Sequence, residues 1–264
     1  MLIINKKIGE TPLEVLNNYK KTLKESELYE LTEKKNKKKI KFSYAGRLDP
    51  MARGKMIILR GLECKNQDLY CDLDKEYEFE ILFNFKTDTY DILGLLEKYT
   101  SINYSKIDDY LKKNNINKYI GVYNQEYPPY SSYCINGKPL WELTKMNINP
   151  IIPKKLIEIY EFEYLGFNIY NQKNIYNNIF NKIHSLSKEN HKNFRVYNIL
   201  NKWFQFFNNN YNKEYRVYKF RAKVSSGTYI RSLANRIGND LSMGAITLDI
   251  NRTNFYSKDK KNIY

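Results

Sequence analysis

The chain has 264 residues, of which 28% are charged and 42% hydrophobic, and its 44 Lys and Arg against 29 Asp and Glu leave a net charge of +15. That length holds one large core or two small ones, and the chain reads as a single domain over residues 1–264. No run approaches the eighteen or so apolar residues of a helical membrane span, which excludes that class, whereas the positive field favours a polyanionic partner, nucleic acid first.

Leu2 to Ile4 reads as a short apolar strand, and Thr11-Pro12-Leu13-Glu14 has capping-box spacing with proline at the first helical position. A helix is expected from there towards Tyr29. A strand followed by a helix is not a secretory leader, so the cytoplasm is the expected compartment. Lys34, Lys35, Lys37, Lys38, Lys39 and Lys41 follow, a basic run that is either a solvated linker or a track for a phosphate backbone. Met56 to Leu59 is continuously apolar and bounded by Gly54 and Gly61, which suits a buried strand.

Cys64, Cys71 and Cys134 are odd in number and lack zinc-like pairing, so free thiols and no metal are expected. Tyr77 to Phe83 alternates, with Tyr77, Phe79, Ile81 and Phe83 on one face, and reads as a half-buried strand. A helix near Ser105 to Asn115, a loop at Pro128-Pro129 and a strand over Leu156 to Phe167 come next. From Asn168 to Glu214 the composition turns to Asn, Tyr, Lys and Phe with little clean periodicity. This stretch is expected to be an insertion, and deletion of Asn171 to Asn210 is expected to leave the chemistry of the remaining chain largely intact. His184 and His191, the only histidines, fall in it and read as surface residues.

The strand Tyr218 to Val224 leads through Ser225-Ser226-Gly227 into a helix with the apolar stripe Ile230, Leu233, Ala234, Ile237 and Leu241. A last strand covers about Ala245 to Phe255. Strands and helices mix without regular βαβ alternation, so the fold class is α+β: a mixed, largely antiparallel sheet with flanking helices.

The chemistry concentrates in Tyr44-Ala45-Gly46-Arg47-Leu48-Asp49-Pro50-Met51-Ala52-Arg53-Gly54. Pro50 pushes Asp49 out of helical space, and Gly46 and Gly54 permit tight turns on either side. A carboxylate is thereby presented on a stiff loop. Gly46 to Gly54 resembles the catalytic motif of the TruB family of tRNA pseudouridine synthases, and three further blocks follow in the family's order. Lys75-Glu76-Tyr77 with Thr87-Asp88-Thr89-Tyr90-Asp91-Ile92-Leu93-Gly94 is similar to the second. Tyr127-Pro128-Pro129-Tyr130-Ser131-Ser132 with Gly137-Lys138-Pro139-Leu140 resembles the third. Ser226-Gly227-Thr228-Tyr229-Ile230-Arg231 resembles the block that carries the family's essential arginine.

The resemblance implies the pseudouridine synthase fold and isomerisation of a uridine in structured RNA, uridine 55 in the TΨC arm of tRNA first, by a monomer that needs no cofactor. It implies that Asp49 attacks the target nucleotide, that Arg231 pairs with Asp49, and that Tyr77 stacks on the uracil and helps remove its C5 proton. It further implies that Lys65, Tyr229 and Ile250 line the pocket. The chemistry agrees, because an arginine favours the charged form of a neighbouring carboxylate and its planar fork can hold both oxygens.

Where the family has a histidine that helps open the T-loop, this chain has Tyr44, and Arg47 replaces a threonine before Leu-Asp-Pro. Both are candidate RNA contacts. The amino-terminal Lys-Pro of the family is weakened to Lys6-Lys7. Many bacterial relatives carry a further carboxy-terminal RNA-binding domain, and here only Lys258 to Lys261 follows the last strand, so its absence is expected. The alternative to an enzyme is a noncatalytic RNA-binding protein on the same scaffold.

Overall fold

The computed structural model describes residues 1–23, 40–99, 103–113, 115–148, 150–209 and 213–257. Its main sheet comprises β1 (Leu2–Lys6), β2 (Phe42–Ala45), β3 (Ala52–Arg60), β4 (Asp74–Phe83), β5 (Gly121–Glu126), β6 (Lys154–Asn171), β7 (Glu214–Val224) and β8 (Ala245–Tyr256). The order is β1-β3-β8-β4-β7-β6-β5, with β2 paired to β3 as a branch. The β3–β8 pairing is parallel and the other pairings of this sheet are antiparallel. The mixed, largely antiparallel α+β architecture expected from the sequence is therefore the one observed.

The main helices are α1 (Pro12–Thr22), α2 (Tyr104–Lys112), α3 (Leu140–Lys145), α4 (Gln172–His184), α5 (Lys188–Asn193), α6 (Val196–Asn208) and α7 (Ile230–Asp240). At α1 the expected capping box forms, with the Thr11 N–H donating to the Glu14 carboxylate at 2.7 Å and the Glu14 N–H donating to Thr11 Oγ1 at 3.2 Å. The proposed extension of this helix to Tyr29, the run Lys34 to Lys39 and the tail Lys258 to Lys261 lie outside the described residues. Cys64, Cys71 and Cys134 are free thiols.

Alternation along the strands sorts two cores onto the two faces of the sheet. On one face Phe79, Ile81 and Phe83 of β4 and Tyr218, Phe220 and Ala222 of β7 pack against Leu233, Ala234 and Ile237 of α7 and Ile107 and Leu111 of α2. Phe79 stacks 5.7 Å from Phe220 and 6.1 Å from Phe162. Each such side chain stabilises the fold by roughly 1.5–3 kcal/mol on burial.

On the opposite face, helices of the stretch expected to be an insertion pack against the sheet, contrary to the expectation that it can be removed without consequence. Strand β6 continues to Asn171, whose side chain accepts from the Asn174 N–H at 2.8 Å and starts α4. Ile175, Ile179 and Ile183 of α4 and Val196, Ile199, Trp203, Phe206 and Phe207 of α6 are buried against Leu82, Val217, Ile246 and Leu248 of the sheet. Trp203 is fully enclosed, and its indole N–H donates to the Ile92 carbonyl at 3.3 Å. The inner faces of α4 and α6 are core. Their helical spacing was present in the sequence, hidden among the intervening Asn, Lys and Tyr. His184 of α4 is exposed as expected, but His191 is half-buried, with Nε2 2.9 Å from the Leu186 carbonyl.

Candidate active site

The loop from Gly46 to Met51 joins β2 to β3 at the point where β8 begins its parallel pairing with Ala52–Gly54. Both glycines are needed there. Gly46 has φ +68°, and Gly54, at φ +109°, lies so close to β8 that a Cβ would stand 2.3 Å from the Arg252 carbonyl oxygen. Two buried cations hold the loop from beneath. The Lys6 ammonium donates to the carbonyls of Lys7 at 3.0 Å and Pro50 at 3.3 Å, and to that of Ala52. Arg252 donates to the carbonyls of Gly46 at 2.8 Å and Lys55 at 2.7 Å. Burial pulls the Lys6 pKa down to about 8, against the opposing pull of Asp49.

Arg231 is the second residue of α7 and is 3% exposed. Its Nε donates to Asp49 Oδ2 at 2.7 Å, its Nη1 to the Thr89 carbonyl at 2.6 Å and its Nη2 to the Tyr130 carbonyl at 3.4 Å. The expected partner is thus in place, but the fork does not grip both carboxylate oxygens. Instead it spans three segments of chain. Asp91 Oδ2 lies 3.7 Å from Arg231 Nε on the inner side. Burial pushes the Asp91 carboxyl up to about 6, with Arg231 opposing, while Oδ1 accepts from Thr89 Oγ1 and from the Leu93 N–H at 2.9 Å. Burial also works against the charge of Arg231, yet Asp49 and then Asp91 leave its pKa raised.

Asp49 stands between two cavities. The first, about 640 Å³, is lined by Tyr77, Tyr229, Ile250, Lys75, Lys155 and Arg252 together with Arg47, Leu48 and Asp49. Tyr77 is buried on β4, opposite Ala222 of β7 and Arg252 of β8. Tyr229 is fixed just before α7 because Gln125 bonds both its N–H, at 2.8 Å, and its carbonyl, at 3.1 Å. Burial, reinforced by the negative charge of Asp49, pushes the Tyr229 hydroxyl up to about 12. Ile250 lies on β8 opposite Ala52. The second cavity, about 470 Å³, is lined by Tyr44, Arg47, Leu48, Asp49, Asp91, Trp141, Lys145, Arg195 and Arg231, among others.

The structure therefore brings Asp49, Arg231, Tyr77, Tyr229, Ile250, Arg47 and Tyr44 together, with Tyr44 on the second cavity and the Arg47 guanidinium 6.0 Å from its ring. Lys65 does not join them. It is exposed on the 3-10 turn Gly61–Asn66 and lines neither cavity. The sequence reading assigned no role to Asp91, Lys75, Arg252 or Arg195. Asp91 had a signal in the Thr-Asp-Thr-Tyr-Asp run, and Lys75 in the triplet it shares with Tyr77. For Arg252 and Arg195, only distant packing selects the residue. Chemically, an accessible carboxylate held by a buried arginine beside an apolar and aromatic pocket can act as nucleophile or base towards a planar ligand.

Residues 33–180 match the TruB family pseudouridylate synthase N-terminal domain. The tRNA pseudouridine synthase B of Francisella tularensis subsp. tularensis (strain WY96-3418) is 30% identical over 214 residues, which cover 81% of this chain and 55% of that protein. The tRNA pseudouridine synthase B of Aquifex aeolicus (strain VF5) is 26% identical over 253 residues, 95% of this chain and 66% of the relative. The chain thus spans little more than half the length of the first of these relatives. The crystal structure of a Cbf5-Nop10-Gar1 complex contains a chain of similar fold, with a TM-score of 0.51 and 18% identity over 96% of this chain and 48% of that one.

Proposed function

The chain belongs to the TruB family of pseudouridylate synthases, and from that membership we propose that it isomerises uridine to pseudouridine in structured RNA, with uridine 55 in the TΨC arm of tRNA as the first substrate. The observation that carries the reading is the 2.7 Å pairing of the half-exposed Asp49 with the buried Arg231 at the mouth of the cavity that Tyr77, Tyr229 and Ile250 line.

In the proposed reaction Asp49 attacks C1′ as the N1–C1′ bond breaks, and the bond it has formed breaks again when C5 takes its place at C1′ and frees the carboxylate. The uracil turns against Tyr77 and rejoins ribose through C5, whose proton leaves with the help of Tyr77 while N1 regains one. Substrate and product are isomers, so the balance closes without a cofactor. Arg231 aims the carboxylate through its 2.7 Å hydrogen bond, and the Ile250 side chain bounds the apolar side of the uracil site. Arg47 and Tyr44 meet the RNA at the rim, with Tyr44 stacking where relatives have a histidine. Residues 1–264 act as one catalytic domain, monomeric and cytoplasmic. Among the described residues no helix is long and apolar enough to cross a membrane.

The test is to incubate the purified chain with a T-arm stem-loop labelled with tritium at uracil C5, and to map pseudouridine in total RNA with and without the protein. Tritium release together with a single mapped position supports the reading and names the substrate. A chain that binds the stem-loop yet releases no tritium and adds no pseudouridine to total RNA overturns it.

A further inference from the structure

The 470 Å³ cavity shares Asp49 with the Tyr77 pocket, and part of its lining comes from the segment between β6 and β7. Asn190, Asn193, Phe194 and Arg195 of that segment face the catalytic loop across it. The wall is fixed in place. Arg195, in a left-handed conformation at φ 56° and ψ 32° between α5 and α6, pairs with Asp88 at 2.7 Å and lies 4.7 Å from the centre of the Tyr130 ring. Lys145 donates to the Asn193 carbonyl at 2.7 Å and stands 5.1 Å from the Trp141 ring, which is 39% exposed. Thr89 and Tyr130, whose carbonyls hold Arg231, adjoin these anchors in sequence and space.

An accessible indole flanked by cations is the surface on which an unpaired base stacks while its phosphates are neutralised. The volume falls in the range that encloses a small ligand. Arg47, Leu48 and Asp49 line both cavities, so a nucleotide held here would be a near neighbour in the strand of one whose base fills the Tyr77 pocket. We propose that the helical segment between β6 and β7 closes a second nucleotide pocket, in which the unpaired nucleotide adjoining the target uridine stacks on Trp141 against the wall that Arg195 anchors. This rests on the reading of the chain as an RNA-modifying enzyme and extends it to the choice of substrate loop.

The experiment measures kcat/KM for pseudouridine formation on stem-loops in which the nucleotide on the 5′ or the 3′ side of the target is intact or abasic, for the wild-type chain, Trp141→Ala and Arg195→Gln. Loss of one stacked base is expected to cost the wild type about tenfold on one side only. That penalty should shrink to less than threefold in Trp141→Ala and fall in Arg195→Gln, because the variants no longer hold the base that is missing. A purely structural defect lowers all rates alike and leaves the abasic penalty unchanged. An unchanged penalty in both variants, or none in the wild type, overturns the pocket. Product from no loop at all overturns the assigned activity, and this inference with it.

Discussion

Arg231 and Asp49 touch at 2.7 Å, yet the side chain of Arg231 is 3% exposed and that of Asp49 is 36% exposed. The arginine is bound into the protein by two backbone carbonyls while the carboxylate keeps an open side towards the cavities. A lysine at position 231 retains the charge but its single ammonium cannot span Asp49, Thr89 and Tyr130. Arg231→Lys is therefore expected to lower kcat by about 10- to 100-fold, the worth of one charged hydrogen bond, with a native circular dichroism spectrum. Unchanged turnover would remove Arg231 from the reaction.

Asp49→Asn keeps the size of the side chain and removes its charge and nucleophilicity. The variant should form essentially no pseudouridine, while its affinity for the stem-loop, set mostly by phosphate contacts, changes by less than about threefold. A noncatalytic RNA-binding protein would instead give no product from the wild type either. Wild-type product from purified Asp49→Asn sinks the catalytic assignment.

Because α4 and α6 bury one face of the sheet, removal of residues 172–209 is expected to abolish cooperative urea unfolding rather than trim a surface loop. Trp203→Ala probes the same core more gently and should cost about 3–5 kcal/mol. A deletion variant that unfolds cooperatively at the wild-type midpoint would return the segment to the periphery.

Stability should rise with pH above neutrality. Burial lowers the Lys75 pKa to about 7 and that of Lys6 to about 8, so between those values and about 10.4 the unfolded chain binds more protons than the folded one, and the folded state gains as pH rises. Urea unfolding of the wild type at pH 7 and pH 9 should differ by at least about 1 kcal/mol in that sense. In Lys75→Met the rise should be smaller. The same pH dependence in wild type and variant would exclude Lys75 as its source.

Affinity for the stem-loop should fall steeply with salt, since a chain of charge +15 that contacts phosphates releases counterions. A flat plot of log affinity against log salt concentration would show that phosphates are not the contact.

The sequence by itself determined the local features. The capping box at Thr11, the alternation of Tyr77 to Phe83, the stripe of α7 and the glycine-flanked Asp49-Pro50 are all set by spacing along the chain, and each is found where that spacing puts it. The four motif blocks also carried the family, because each is short and contiguous. What spacing could not decide was which side chains meet across the sheet. Asp91 and Arg195 acquire their neighbours only when segments over 100 residues apart in the chain close on one another. The segment from Asn168 to Glu214 shows the same limit from the packing side. Its isoleucines and aromatics were visible, but whether an amphipathic stretch is shed to solvent or buried depends on whether a second apolar face awaits it. Leu82, Val217, Ile246 and Leu248 create that face only after β4, β7 and β8 have paired.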